Sequence, residues 1–151
     1  MKDKTDSKLV RALQENAQLT AQELAERLGL SASQAARRRQ RLEAENVIQG
    51  YRAQLDPVAV GLGVQAFVQV ELRTHDPQVT SGFNKLIAVQ PEIVSAWTLT
   101  GDADLLLRIY CQDLASLNSL IHDILLAHGA VNRVHSQIVM NQVKKDAPLP
   151  A

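Results

Sequence analysis

The stretch TAQELAERLGLSASQAARRRQRLEAENVIQGYRAQL, Thr20 to Leu55, decides how the first third of this chain folds. It contains two helix-start signals. In Thr20-Ala21-Gln22-Glu23 the threonine hydroxyl and the glutamate satisfy each other's orphan amides, and Ser31-Ala32-Ser33-Gln34 repeats the device with glutamine in third place. Gly29, between them, is placed to take the left-handed conformation that ends the first of these helices. The second carries Arg37, Arg38, Arg39 and Arg41. A short capped helix, a glycine turn and a basic second helix make a helix-turn-helix, whose second helix enters the major groove of double-stranded DNA.

The residue types on that helix suit the task. Glutamine has the geometry to bind adenine N6 and N7 together, and arginine to bind guanine O6 and N7. Serine hydroxyls and the free amides of a helix N-terminus suit phosphate oxygens. The candidate DNA-binding set is therefore Ser31, Ser33, Gln34, Arg37, Arg38 and Arg41. An arginine run alone is an ordinary solvated face; the capped helix and turn before it are what turn it into a DNA signal. Arg41 also has Glu45 four residues on as an ion-pair partner.

Working outward, Leu9, Val10 and Leu13 predict a helix from about Asp6 to Asn16, and Leu19 is placed to staple onto Leu24. Ala35, Ala36 and Leu42 form the inward face of a helix from Ala32 to about Glu45, where Asn46 stands in for the usual glycine. Val47-Ile48 and Tyr51 through Leu55 read as a short hairpin or strand closing the head. Asp56-Pro57 breaks it, and Gly61 and Gly63 flank a hinge. The predicted division is a helix-turn-helix domain over 1–55, a linker over 56–63 and a second domain over 64–151.

The second half alternates between the two periodicities. Ala66, Val68, Val70 and Leu72 alternate with Phe67, Gln69, Glu71 and Arg73, a strand with one buried face. Asp76-Pro77 opens a helix with the stripe Val79, Phe83, Leu86 and Ile87. Ile93 to Thr100 and Ala103 to Cys111 read as strands joined by a tight turn. Asp113 caps a second helix with the stripe Leu117, Leu120, Ile121, Ile124 and Leu125, and Val131 to Val143 is the last strand. The order βαββαβ is the ferredoxin-like arrangement, so the fold class is α+β. One sheet face, with Trp97 and Leu99 beside Gln69, Glu71, Arg108 and His135, has no covering element in the chain and calls for a second subunit.

The totals are consistent with this division. Net charge is zero, but residues 1–55 hold ten of the 16 Lys/Arg and seven of the 16 Asp/Glu, an excess of +3 that the remainder balances. Hydrophobic content of 46% with 3% aromatics predicts aliphatic cores. The single Cys111 excludes an internal disulfide, Lys2 and Lys4 are not followed by an apolar leader segment, and no run approaches the roughly 20 apolar residues of a membrane helix. The expectation is a soluble, cytoplasmic protein with no membrane partner. His75, His122, His128 and His135 lack metal-ligand spacing, and neither a catalytic triad, a phosphate-binding loop nor paired catalytic carboxylates stand out, so no metal, cofactor or enzymatic activity is expected. The turn Thr100, Gly101, Asp102, Asp104 places carboxylates and free amides close together. There an amino acid's ammonium could meet Asp102 or Asp104 and its carboxylate the turn amides, although Gly-Asp is also ordinary turn chemistry.

With both halves read, the chain resembles the Lrp/AsnC, or feast/famine, family of bacterial and archaeal transcriptional regulators. The resemblance runs from Asp6 to Lys145 and rests on Asp6 through Leu13, LTAQELAERLGLS at Leu19–Ser31, RRRQRLEAENVIQGYRAQLDP at Arg37–Pro57, LTGDADLL at Leu99–Leu106 and the terminal VHSQIVMNQVK. It implies homodimers built through the ferredoxin-like domain, often assembled into octamers. It also implies an amino acid or similar small effector near Gly101–Asp104 at a subunit interface, with Thr98 and Ser136 contributing hydroxyls. The chain departs from the family at Arg39, where an apolar residue is usual, and at Ala103 and Leu105, where the effector loop often carries aromatics. Two other builds share the pattern. One is an architectural DNA-binding protein without an effector. The other is a haem-biosynthesis decarboxylase, which would recruit residues such as Arg133 and His135.

Overall fold

In the computed structural model, which describes residues 3–74 and 76–150, the chain divides into two compact units. One is Met1–Gln54 with Val143–Ala151; the other is Leu55–Gln142. His75 lies outside the described residues.

The first unit is built on α1 (Lys4–Glu15), α2 (Ala21–Leu28) and α3 (Ala32–Ala44). Asp3 caps α1, accepting from the Thr5 amide at 2.7 Å. Both capping boxes form: Thr20 with Glu23 and Ser31 with Gln34. Gly29 ends α2 at φ 67°, with the Leu30 amide reaching back to the Ala25 carbonyl. Asn46 takes φ 58°, and the Val47 and Asn46 amides donate to the Leu42 and Glu43 carbonyls, a Schellman closure on asparagine. Leu9, Ala12, Leu13, Leu19, Leu24, Ala25, Ala35 and Leu42 form the core, with the Leu19–Leu24 staple inside it. Each fully buried leucine stabilises this unit by about 1.5–3 kcal/mol.

One expectation is corrected here. Residues 51–55 are not a strand, because a strand needs a partner and none pairs with it among the described residues. The tail from Val143 clusters with the first unit, where Gln14 donates to the Leu149 carbonyl at 3.1 Å and accepts from its amide at 2.6 Å.

In the second unit, residues 57–61 form a turn that Asp56 caps through the Val58 amide at 2.9 Å. Beyond it come β1 (Val64–Leu72), α4 (Pro77–Val89), β2 (Ile93–Thr98), β3 (Leu105–Cys111), α5 (Leu114–Ser119) and β4 (Val131–Ile138). The strands make one antiparallel sheet in the order β2-β3-β1-β4, the ferredoxin-like topology. β4 ends at Ile138, five residues short of the expected Val143. Alternation along β1 buries Ala66, Val68 and Val70 with Leu105, Leu107 and Ile109 of β3. Phe83 and Ile87 of α4, and Leu117 of α5, pack onto that face. Helix α5 continues as a wider π-type turn over Leu120–Leu125. Leu120 and Leu125 are both buried, and their spacing of five fits this wider turn better than a 3.6-residue period. Cys111 is buried, and burial pushes its thiol up from its ordinary value.

Candidate DNA interface and effector loop

Helix α3 presents Gln34, Arg37, Arg38 and Arg41 at i, i+3, i+4 and i+7, so they share one face. Together with Leu30 they line an open groove of about 450 Å³. Ser31 and Ser33 sit at the head of the helix with their hydroxyl oxygens 3.1 Å apart. The Gln34 carboxamide oxygen accepts from the Ser31 amide at 3.0 Å, so this side chain serves the cap as well as lining the groove.

The arginines differ sharply in their surroundings. Arg38 donates to Asp3 and to Asp6, each at 2.7 Å. Arg41 donates to the second oxygen of Asp6 and lies 3.9 Å from Glu45. Asp6 is 4% exposed, a buried charge that survives because two guanidiniums surround it. Arg38 holds the Asp3 carboxyl down at about 2, helped by the Thr5 amide. Arg39 turns the other way and serves the unit's own packing: it donates to the Leu19 carbonyl at 3.2 Å and to Glu43 at 3.0 Å. Arg37 is exposed and makes no ion pair among the described residues. Sequence reasoning placed all the arginines correctly on the helix but missed Asp3 and Asp6, whose partners lie 32 to 35 residues away.

The predicted effector residues are only partly gathered. Gly101 takes φ 118° in the turn, and Thr100 and Asp102 are exposed. Asp104 is committed to the fold: its carboxylate accepts from the Leu72 amide at 2.7 Å, and its own amide donates to the Val70 carbonyl. Thr98 lies on β2 and Ser136 on β4, the two outer strands of the sheet, so this chain does not bring them together. Three strand spacings, roughly 14 Å, separate those edges.

Instead, Asp102 and Ala103 line a small open pocket with Gln69, Glu71, Arg133 and His135. The register explains this grouping: Glu71 faces Arg133 and Gln69 faces His135 across β1 and β4. The signal available in the sequence was the outward set of β1, which is polar where a solvated face needs it and polar again opposite in β4. Among the described residues no group of three His, Cys, Asp or Glu is placed to hold a metal. His128 is structural, accepting from the Ala130 amide through Nδ1 and packing 5.3 Å from the Phe83 ring centre. No helix among the described residues is long and apolar enough to cross a membrane.

A head that presents a capped cationic helix, joined to a sheet unit with its own pocket, defines a DNA-binding protein with a separate ligand-binding domain. Residues 2–49 match the winged helix-turn-helix DNA-binding family and residues 65–149 match the Lrp/AsnC ligand binding domain. The chain belongs to the Lrp/AsnC family of transcriptional regulators. It is 36% identical over 142 residues to the leucine-responsive regulatory protein of Rhizobium meliloti, covering 94% of this chain and 91% of that one. It is 31% identical over 150 residues to the DNA-binding transcriptional activator DecR of Escherichia coli, 99% of each. A transcriptional regulator of Neisseria meningitidis, crystallised as a complex with L-Met, superposes with a TM-score of 0.94 at 37% identity, covering 99% of this chain and 97% of that one. The chain is therefore a DNA-binding transcriptional regulator with a ligand-binding domain.

Proposed function

We propose that an amino acid is the effector of this regulator and that it binds at the pocket between the 100–104 turn and the outer face of β1 and β4. The observation that carries the proposal is the charge arrangement around Asp102: Glu71 and Asp102 suit an α-ammonium, and Arg133 suits an α-carboxylate. These are the two ends of a zwitterion. The L-Met complex of the Neisseria meningitidis regulator makes methionine the first ligand to try. Thr100 and Gly101 contribute the turn, and Thr98 and Ser136 join the site only where subunits meet, since one chain keeps them on opposite edges.

The DNA contacts we assign are Ser31 and Ser33 with the helix N-terminus to phosphate, Gln34 and Arg37 to bases or adjoining phosphates, and Arg38 and Arg41 at the margin of the groove. The open sheet face, with Trp97 45% exposed beside Leu106, is the surface we assign to a homodimer, from which octamers assemble. Isothermal titration across the twenty amino acids, with footprinting of the chain's own upstream region, tests the reading. We expect methionine or another apolar amino acid to bind and to alter the footprint. Silence from all twenty overturns the effector and leaves an architectural DNA-binding protein.

A further inference from the structure

The most unusual charge in the head lies on α1, under the DNA-facing groove. Asp6 is almost fully buried, yet its two carboxylate oxygens are shared between Arg38 and Arg41, and Asp3 takes a second hydrogen bond from Arg38. These two arginines belong to the same helix face as Gln34 and Arg37 and line the same groove. Two carboxylates therefore stand against two of the three guanidiniums on the face that would approach DNA. A carboxylate in this position has two physical effects. It cancels charge that would otherwise bind any phosphate backbone, and it fixes the direction of the guanidinium that it holds.

We propose that Asp3 and Asp6 are positioning residues of the DNA interface: by holding Arg38 and Arg41 they withhold two positive charges from the phosphate backbone, so that binding depends on contacts from Gln34 and Arg37 and gains selectivity at the expense of raw affinity. The proposal rests on the DNA-binding reading and adds to it an acidic control on α1. Salt bridges kept only for folding predict something different. Removing one then weakens the head and binds DNA no better, because a disordered α3 loses contacts on every sequence.

The ends of the clamp differ usefully in risk. Asp3 is an N-cap with its side chain 43% exposed, and asparagine caps as well as aspartate, so Asp3→Asn removes the charge and keeps the helix start. Asp6→Asn is the stronger perturbation, because it leaves two guanidiniums sharing one neutral amide. The experiment is fluorescence anisotropy with the full chain, on its own upstream region and on a random duplex of equal length, between 50 and 200 mM salt, with circular dichroism and thermal unfolding on each variant.

For Asp3→Asn we expect unchanged helix content and tighter binding to the random duplex. The slope of log affinity against log salt steepens by about one unit per bound head, as one more phosphate is neutralised. For Asp6→Asn the steepening is again about one unit, because one carboxylate is lost while Asp3 still holds Arg38, and preference for the upstream region over the random duplex falls in both variants. Arg38→Ala in the parent background changes the slope by clearly less than Arg37→Ala. An unchanged or shallower slope in a folded Asp3→Asn protein overturns the proposal, even if Asp6→Asn fails to fold. Absence of binding by the parent overturns the DNA-binding reading itself, whereas parent binding with flat variant slopes overturns only the clamp.

Discussion

Arg39 lies with its guanidinium carbon 4.8 Å from the centre of the Tyr51 ring, so a cation occupies the position where an aliphatic side chain would close the head. The arrangement is complete without burying a bare charge. Arg39 donates to Glu43 and to the Leu19 carbonyl, and the Tyr51 hydroxyl donates to the same Glu43 oxygen at 2.8 Å. The Tyr51 hydroxyl and then Arg39 draw the Glu43 carboxyl below its ordinary value, while burial and the nearby Glu43 raise Tyr51. The polar end of Arg39 ties α3 to the Leu19 carbonyl and to the Tyr51 ring of the segment that follows it.

Tyr51→Phe tests this tie. The ring and its stacking remain and only the hydroxyl goes, so the expected cost is about 1 kcal/mol, a single partly exposed hydrogen bond. Urea unfolding measures it, with the midpoint falling and the m value unchanged. Arg39→Val should alter stability by no more than about 1.5 kcal/mol, because lost polar contacts are offset by apolar contact with the same core. Since Arg39 faces away from the groove, neither change should alter the salt dependence of DNA binding; a shallower slope in Arg39→Val would place that arginine on DNA instead.

Gln34 has two jobs that one substitution separates. Its oxygen completes the cap of α3, and the residue lines the groove that we assign to DNA. Gln34→Ala should cost a few tenths to about 1 kcal/mol of stability through the cap and roughly 1–3 kcal/mol of discrimination at one base pair. Affinity measured on a set of single-base operator variants distinguishes the two. Equal loss on specific and random duplexes would assign Gln34 to the cap alone. Arg37→Ala should weaken binding to the upstream region more than to a random duplex, and should reduce the salt slope on both by about one unit.

Most of the architecture was readable because its causes are local. Thr20 with Glu23, Ser31 with Gln34, Gly29 and Asn46 fix helix ends within a few residues of themselves, and the outcome matches. The alternation Ala66, Val68, Val70 identifies a half-buried strand for the same reason. What escaped depends on distant partners. Asp6 reads as a first-turn acid on an amphipathic helix, and nothing nearby says that Arg38 and Arg41 come to it. The pocket pair Glu71 and Arg133 exists only through the register of β1 on β4. Residues 51–55 have strand-like composition, but composition supplies no pairing partner.

Asp3 also gives the head a definite response to acid. Its folded carboxyl is held at about 2 against an ordinary 3.8, so the folded form binds its proton less readily than the unfolded chain does. The sign follows: the contribution is fully present above the ordinary carboxylate range and is lost as pH falls from about 4 towards 2. Glu23, Glu43 and Asp113 are lowered too and act in the same direction, so the informative quantity is a difference. Thermal unfolding of the parent minus that of Asp3→Asn should be constant above about pH 5 and shrink below about pH 4. A constant difference down to pH 2 would show that Arg38 does not hold Asp3 in solution.

The two aspartates of the 100–104 turn should separate fold from ligand. Asp104 satisfies the Leu72 amide where β1 ends, next to a register shift between Glu71 and Leu72, so Asp104→Ala strands a strand-end donor. The expected cost is about 1–3 kcal/mol by urea unfolding. Asp102 is exposed and lines the pocket, so Asp102→Ala should stay within about 0.5 kcal/mol of the parent. If the zwitterion reading is right, calorimetric titration with L-methionine gives the reverse ranking per folded molecule. Asp102→Ala then loses roughly tenfold or more in affinity, equivalent to about 1.4 kcal/mol for one charge-assisted hydrogen bond. Arg133→Ala should do the same from the carboxylate end, and the double variant should lose little beyond the larger single effect if both groups hold one ligand. Methionine affinity that survives both substitutions would move the effector site away from this face of the sheet.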